Sequence, residues 1–516
     1  MTRIAVIADS HLPDDSDTIK EEVFEWALAT AIERKADVIV AAGDLTAMGT
    51  MEAAKRIKQK MDATNLPYLI TPGNAERRSP EFREAVLSEF KTSASFEQNS
   101  CSILVLDSSQ QKLTDNDRKQ IVDLVSRGQK QLFVATHFPL ASFPQKDQGF
   151  LRRLLADGII GVLVAGHLHR NGTERIGKGE YHLVRGIDPD KAIGGPPDCV
   201  FFDFDSKTQY WQRLDSDYRI DWTAERSDEF RDLLGFSCMR DSFGGIKDAI
   251  SMRVKSIELR FECTKNISTE TLFPLLEQWR AKGGRYLSIH LPDILWDLKN
   301  SKVEGVKQVK TACEFALKIH ANRLTMHVPR CPVGLICKNT DIKNKMLDAY
   351  ADALKRVLEH GITLGIENLH RTPDEKIDST RGFGYTPTEC LDWINALRKK
   401  TNNDKIGFHF DIGHARNNAP YSSVYSISQW FAKLGNLITG YHLHQVEQAP
   451  DGKLMNHCPV TGMFGPLISF CSLFIAWNEN QIKHVPMYLE IRGENAIKSL
   501  NCFRQYRTET KRGLEY

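Results

Sequence analysis

At 516 residues, with 41% hydrophobic and 26% charged residues, the chain is too long for one ordinary domain, and two soluble globular domains are expected. A formal charge of +2 excludes a strong field for nucleic acid or membrane, although the second half is mildly basic. No run of about 18 apolar residues occurs, Asp9, Asp14 and Asp15 stand where a signal peptide would be apolar, and the 11 cysteines form no CxxC pair; a cytoplasmic protein with no membrane partner is expected.

The chain opens on the apolar run Ile4–Ala8, which stops at Asp9-Ser10-His11. Residues two apart share a face of an extended chain, so Asp9 and His11 point the same way. Four further buried strands follow the same plan. "DVIVAAGDLT" ends in Gly43-Asp44, "LPYLITPGNAE" in Gly73-Asn74, "QLFVATHFPL" in His137, and "GVLVAGHLHR" in Gly166-His167-Leu168-His169. A single strand-end Asp or His is usually a loop residue. Five in order, delivered where open α/β sheets bind ligands, predict a metal site. "YHLVRGI" and "CVFFDFDSKTQYWQRLD", with a turn at residues 205–207, predict antiparallel strands closing the second sheet of a sandwich.

The series DxH, GD, GN, HxP and GHxH resembles the calcineurin-like metallophosphoesterase family over about residues 1–215. The resemblance implies a four-layer αββα sandwich with two divalent metals, Mn, Fe or Zn. Asp9, His11 and His169 would hold one, Asn74, His137 and His167 the other, and Asp44 would bridge them; Asp44 and His137 are the expected catalytic residues. Paired metals can clamp a phosphate and activate water near neutral pH. The family usually has a histidine after the Gly-Asn, where this chain has Ala75. General acid help is typically worth roughly 10²–10⁴ in rate. The expectation is therefore a phosphodiesterase acting on good leaving groups, or one that finds its proton elsewhere.

Residues 216–233 are expected to be a linker. From Leu234 eight strand-like runs alternate with helical stretches: "LGFSCM", "SIELRF", "YLSIHL", "RLTMHV", "TLGIEN", "IGFHFDI", "ITGYHLHQV" and "PMYLEIRG". Eight such units over residues 234–500 predict a (β/α)8 barrel, followed by a tail at 501–516. Thr386, Pro387 and Glu389 mark one helix start. His290, His327, Glu367, Asp411, His414, His442, His444 and Glu490 fall at C-terminal strand ends, the face that carries chemistry in such barrels. His442 reads equally well as a satisfied histidine beside the site, and His409 as packing.

"GIENLH", "FHFDIGHA", "YHLHQVE" and "MYLEIRGE" resemble the xylose isomerase-like barrel superfamily, which includes sugar isomerases, epimerases and endonuclease IV-type nucleases. The resemblance implies at least one divalent metal, Mn or Zn with Mg or Co as further options, on Glu367, Asp411, His444 and Glu490. Glu367 and Glu490 would move protons, and His290, His327, His414 and Arg492 would contact substrate. The nuclease pattern needs more metals; "LMNHCPVTG" keeps His457 but has Met455 where an Asp is usual, and its Gly462 comes one residue late.

The sequence thus leads to a bifunctional enzyme, a dinuclear phosphoesterase joined to an isomerase- or epimerase-like barrel. The alternatives are a nucleic-acid-processing phosphodiesterase with a nuclease-like barrel, and a barrel that only regulates the phosphoesterase. The partner is a phosphoester, small molecule or nucleic acid, and an oligomer is compatible with the sequence.

Overall fold

The computed structural model describes residues 1–90, 95–98, 101–126, 131–205, 207–220, 223–372, 374–377, 380–465 and 467–511, with backbone alone at 269 and 506–511. The chain forms two compact units, Met1–Ile220 with Phe464–Ser472, and Asp221–Met463 with Leu473–Tyr516.

In the first unit, the parallel strands Thr2–Ile7, Val38–Ala41 and Tyr68–Ile70 lie side by side, with Ile4 opposite Val38 and Ile39 opposite Tyr68. Asp198–Asp205 and Tyr210–Asp217 extend this sheet antiparallel from Thr2–Ile7. A six-stranded sheet runs Ser95–Gln98, Cys101–Val105, Leu132–Thr136, Ile160–Ala165, Gly179–Leu183, Gly172–Ile176. Alternation along each strand sends Ile4, Val6, Val40, Ile103, Phe133 and Val162 into one core shared by the two sheets. Leu104, Val134 and Leu163 face the other way, against Ile121 and Leu124 of the helix Asp115–Ser126 and Leu151 and Leu155 of Gln145–Asp157. Truncating a fully buried side chain such as Phe133 to Ala would cost about 3–5 kcal/mol.

One expectation needs correcting. "YHLVRGI" and "CVFFDFDSKTQYWQRLD" do not close one sheet together. Gly179–Leu183 pairs parallel with Ile160–Ala165 in the six-stranded sheet, whereas Asp198–Asp205 joins Thr2–Ile7 in the other. Both segments are half-apolar and alternating, so their pattern fixes faces and not partners. The turn expected at 205–207 includes residue 206, outside the described residues. Phe464–Ser472 is built into this unit: Phe464 O accepts from Gly194 N (3.1 Å), Ser469 N donates to Asp190 O (3.2 Å), and the Ser472 hydroxyl donates to the Asp190 carboxylate.

The second unit contains a closed barrel of eight parallel strands: Leu234–Cys238, Ser256–Arg260, Tyr286–His290, Arg323–His327, Thr363–Glu367, Ile406–Asp411, Ile438–Leu443 and Met487–Leu489. All eight expected runs are in it. Register places His327 opposite Glu367, Glu367 opposite His409, and Asp411 opposite His442, so chemically active side chains from neighbouring strands share a level. Thr386 caps Pro387–Thr401, its hydroxyl accepting from Glu389 N at 3.3 Å. Short hairpins, Leu295–Asp297 with Lys302–Glu304 and Gln445–Gln448 with Leu454–Cys458, rise after the third and seventh barrel strands. Residues 501–511 continue the helix Glu494–Lys511 that begins soon after the last strand. Among the described residues no helix is long and apolar enough to cross a membrane.

Candidate metal centres

Each parallel strand of the first unit ends just before its chemistry. Asp9 N donates to Gly43 O (2.9 Å) and His11 N to Asp44 O (3.0 Å), tying the first two strand-end loops together. Asp9, His11, Asp44, His167 and His169 all adopt left-handed backbone, with φ of 54°, 45°, 51°, 69° and 51°. Such conformations are costly for non-glycine residues and cluster where function requires them. Gly73 is needed for a related reason: a Cβ there would overlap the Asp44 carboxylate.

These loops bring the expected ligands together in two groups, Asp9–His11–His169 and Asp44–His137–His167, whose ligand atoms lie within 4.8 Å of one another. Asp44 faces both, Oδ2 lying 3.2 Å from His11 Nε2 and Oδ1 3.5 Å from His137 Nε2. Asn74 Oδ1 is 3.3 Å from His137 Nε2. His137 gives Nδ1 to Ala42 O at 2.9 Å, which turns Nε2 toward Asn74, Asp44 and His167 Nδ1, 3.2 Å away. Several lone pairs thus converge, and Asp9 Oδ1, His11 Nδ1 and His169 Nδ1 are buried without a hydrogen-bond partner. Orphaned acceptors at this density fit divalent cations. Burial holds His11 and His167 down at about 4, and His169 well below its usual range, so all three offer neutral imidazoles. Burial raises Asp9 to about 8, while His137 and His11 hold Asp44 well below the usual carboxylate range against the effect of burial.

In the barrel, His290 Nε2 lies 3.1 Å and His327 Nε2 3.5 Å from Glu367 Oε2. His290 gives Nδ1 to Leu291 O (3.1 Å), and His327 gives Nδ1 to Asp293 Oδ1 (2.6 Å), fixing the tautomer that leaves Nε2 as a ligand. His444 Nε2 faces Asp411 Oδ1 at 3.2 Å, and His457 Nδ1 faces Glu490 Oε2 at 3.3 Å. His414 Nδ1 lies 3.4 Å from Asp411 Oδ2 and 3.5 Å from Glu367 Oε1. His290–His327–Glu367 and His444–His457–Glu490 each gather within 4.8 Å. Asp411 Oδ2, His444 Nε2 and Glu490 Oε2 are buried without a hydrogen-bond partner, so this site too fits cations. Gly413 lies so close to His444 that any Cβ would overlap the imidazole ring.

Beneath these groups His442 does more than pack. Its Nε2 meets Glu258 Oε1 at 2.7 Å and its Nδ1 meets Glu367 Oε1 at 3.2 Å. Burial alone would lower its pKa, but Glu258 and Glu367 raise it well above the usual range, making it a cationic bridge. His409 packs on it with ring centroids 4.2 Å apart. Arg492 is exposed, while Arg260, from the end of the second barrel strand, ion-pairs with Glu490.

Sequence reasoning missed Glu258, Arg260, Asp293 and Asp188. Glu258 and Arg260 are the charged pair inside "SIELRF", and a lone carboxylate within a buried strand was the available signal. Asp293 and Asp188, which sits 3.4 Å from His11 Nδ1, come from loops without a local pattern.

A family model described as calcineurin-like phosphoesterase matches residues 2–171, and one described as xylose isomerase-like TIM barrel matches residues 248–513. A D-tagatose 3-epimerase-like protein is 18% identical over 54% of this chain and 98% of its own, with a TM-score of 0.39. A xylose isomerase-like TIM barrel protein from Mycobacterium smegmatis in complex with magnesium is 14% identical over 54% and 95%, TM-score 0.36. A dimetal phosphatase from Danio rerio is 12% identical over 39% and 92%, TM-score 0.32. No curated protein matches the chain.

Proposed function

Because the chain belongs to the xylose isomerase-like TIM barrel family, with a calcineurin-like phosphoesterase match ahead of the barrel, we propose a two-centre, metal-dependent enzyme whose first unit is a phosphodiesterase. The observation that supports this most is Asp44, whose two oxygens face two separate groups of neutral imidazoles and carboxylates. Asp9, His11 and His169 would hold one metal, Asn74, His137 and His167 the second, with Asp44 between them. Paired divalent metals supply Lewis acidity for phosphoryl oxygens and acidify water. The chain's own part is to keep the imidazoles unprotonated and to exclude solvent beneath the cluster, where Asp9, His11, Asp44 and His137 are buried.

For the barrel, the geometry favours phosphodiester cleavage at several metals. A one-metal isomerase site needs Glu367, Asp411, His444 and Glu490, yet His290 and His327 aim two further lone pairs at Glu367. Arg260 also ties up Glu490, a poor arrangement for a residue that must shuttle protons. The substrate would be a nucleic acid or another phosphodiester. The isomerase or epimerase reading retains one supporting observation: Met455, 45% exposed, leaves the His444–His457–Glu490 group short of a carboxylate. Eleven free thiols accord with a reducing, cytoplasmic setting.

The test is metal analysis with turnover. With Mn²⁺ the protein should hydrolyse a bis-aryl phosphodiester, and Asp44→Ala should abolish this. Glu367→Gln should leave that activity intact while removing more than one barrel metal, since both Glu367 oxygens face nitrogen ligands. Loss of one metal only, with turnover of a keto sugar by the wild type, would select the isomerase.

A further inference from the structure

The phosphodiesterase site opens on one side only. Asp9, His11, Asp44 and His137 are buried, whereas Asn74, His167 and His169 are partly exposed, so a departing group leaves across the Asn74–His167 side. Arg78 stands there. It follows the short turn Ala75–Arg77, and its guanidinium is held by Nη1 donating to Ala47 O at 2.7 Å. Its Nη2 lies 3.2 Å from the Asn74 side-chain amide. When Asn74 Oδ1 points at His137 and the cluster, the amide nitrogen faces Arg78, and two donors confront each other across that gap. Donors brought together at the mouth of an anion site call for a shared acceptor. Arg78 also lies close enough to His167 to depress its basicity, which places a permanent positive charge beside the cluster.

Resting on the phosphodiesterase reading, we propose that Arg78, with the Asn74 amide, receives the departing oxygen of the substrate as an anion. In this step the oxygen of a water bonds to phosphorus while the bond from phosphorus to the leaving oxygen breaks. The leaving oxygen keeps the electron pair, and the water's proton passes to solvent. A guanidinium remains protonated at any physiological pH, so it stabilises the charge without giving up a proton. Ala75 beside it carries no acid. The substrate class that follows is a phosphoanhydride or comparably activated diester, whose leaving oxygen is stable unprotonated.

The experiment uses the full chain with Mn²⁺ and a series of aryl phosphodiesters of graded leaving-group acidity. The wild type should show kcat/KM falling steeply as the leaving phenol becomes less acidic. Arg78→Ala should lose roughly a hundredfold on the poorest leaving groups and much less on the best, and Arg78→Lys should recover part of this. Bound metal per chain should be unchanged in both variants, and inorganic phosphate, titrated calorimetrically, should bind at least about tenfold more weakly to Arg78→Ala. An equal loss across the series, or loss of metal from Arg78→Ala, would reduce Arg78 to a support for Asn74 and overturn the proposal. An active wild type with Arg78→Ala unchanged sinks this proposal alone. A wild type inert toward the whole series sinks the phosphodiesterase reading and this one with it.

Discussion

Glu76 accepts hydrogen bonds from Asp44 N (3.0 Å), Thr46 N (2.9 Å), the Thr46 hydroxyl (3.0 Å) and Gly73 N (2.8 Å). It therefore binds the loop carrying Asp44 to the loop carrying Asn74, without touching either metal group itself. Glu76→Ala would orphan three buried amides, and metal affinity of the first centre should fall about 10–100-fold, read by competition with a chelator. In the barrel, His442 holds a comparable place between two buried carboxylates. His442→Phe leaves Glu258 buried without its cation, a loss of about 3–5 kcal/mol visible in the urea midpoint of the barrel unit. Pairing the change with Glu258→Gln should recover part of it. The ligand candidates were legible as residues because a strand that stops at Asp or His is a local pattern. Their supports were not: Glu76 lies 30 residues from Thr46, and Glu258 lies 184 from His442, so only folding brings them together.

The strands themselves could be read because each is a short apolar run closed by glycine or a polar residue. All eight barrel strands follow this rule, helped by parallel sheets being buried on both faces. Pairing was not readable for Gly179–Leu183 and Asp198–Asp205, since alternation specifies a face and leaves the neighbour open. Gly179–Leu183 carries its own pH dependence. His182 is buried there, and burial, reinforced by the charge of Arg213, lowers its pKa to about 4. The unfolded chain, with an ordinary imidazole, takes up the proton first on acidification. The contribution is thus complete above about pH 6.5 and disappears as pH falls toward 4. The urea midpoint of the first unit should drop between pH 7 and 5, and His182→Leu should remove about 2 kcal/mol of that slope. Equal slopes in the two proteins would assign the drop to other groups.

Across the whole molecule, both centres are crowded with buried acceptors, so each unit without its metals holds uncompensated lone pairs. Chelation should therefore lower the melting temperature of both units, and Mn²⁺ or Zn²⁺ restored at about 100 times Kd should return about 2.7 kcal/mol to the unit that binds it. A transition insensitive to chelator would mark a unit that binds no metal. The order of the units followed from the motifs, but the return of residues 464–472 to the first unit did not, because nothing in "FGPLISFCS" advertises a destination.

That late segment has an evolutionary and practical consequence. Its Ser472 hydroxyl and Ser469 amide both grip Asp190, two positions from the Asp188 carboxylate that steadies His11. A gene cut once after codon 220 would encode a phosphodiesterase missing one of its own walls. The two halves are stitched like a hem folded back over itself, and neither could have been inherited, swapped or expressed as a clean cassette.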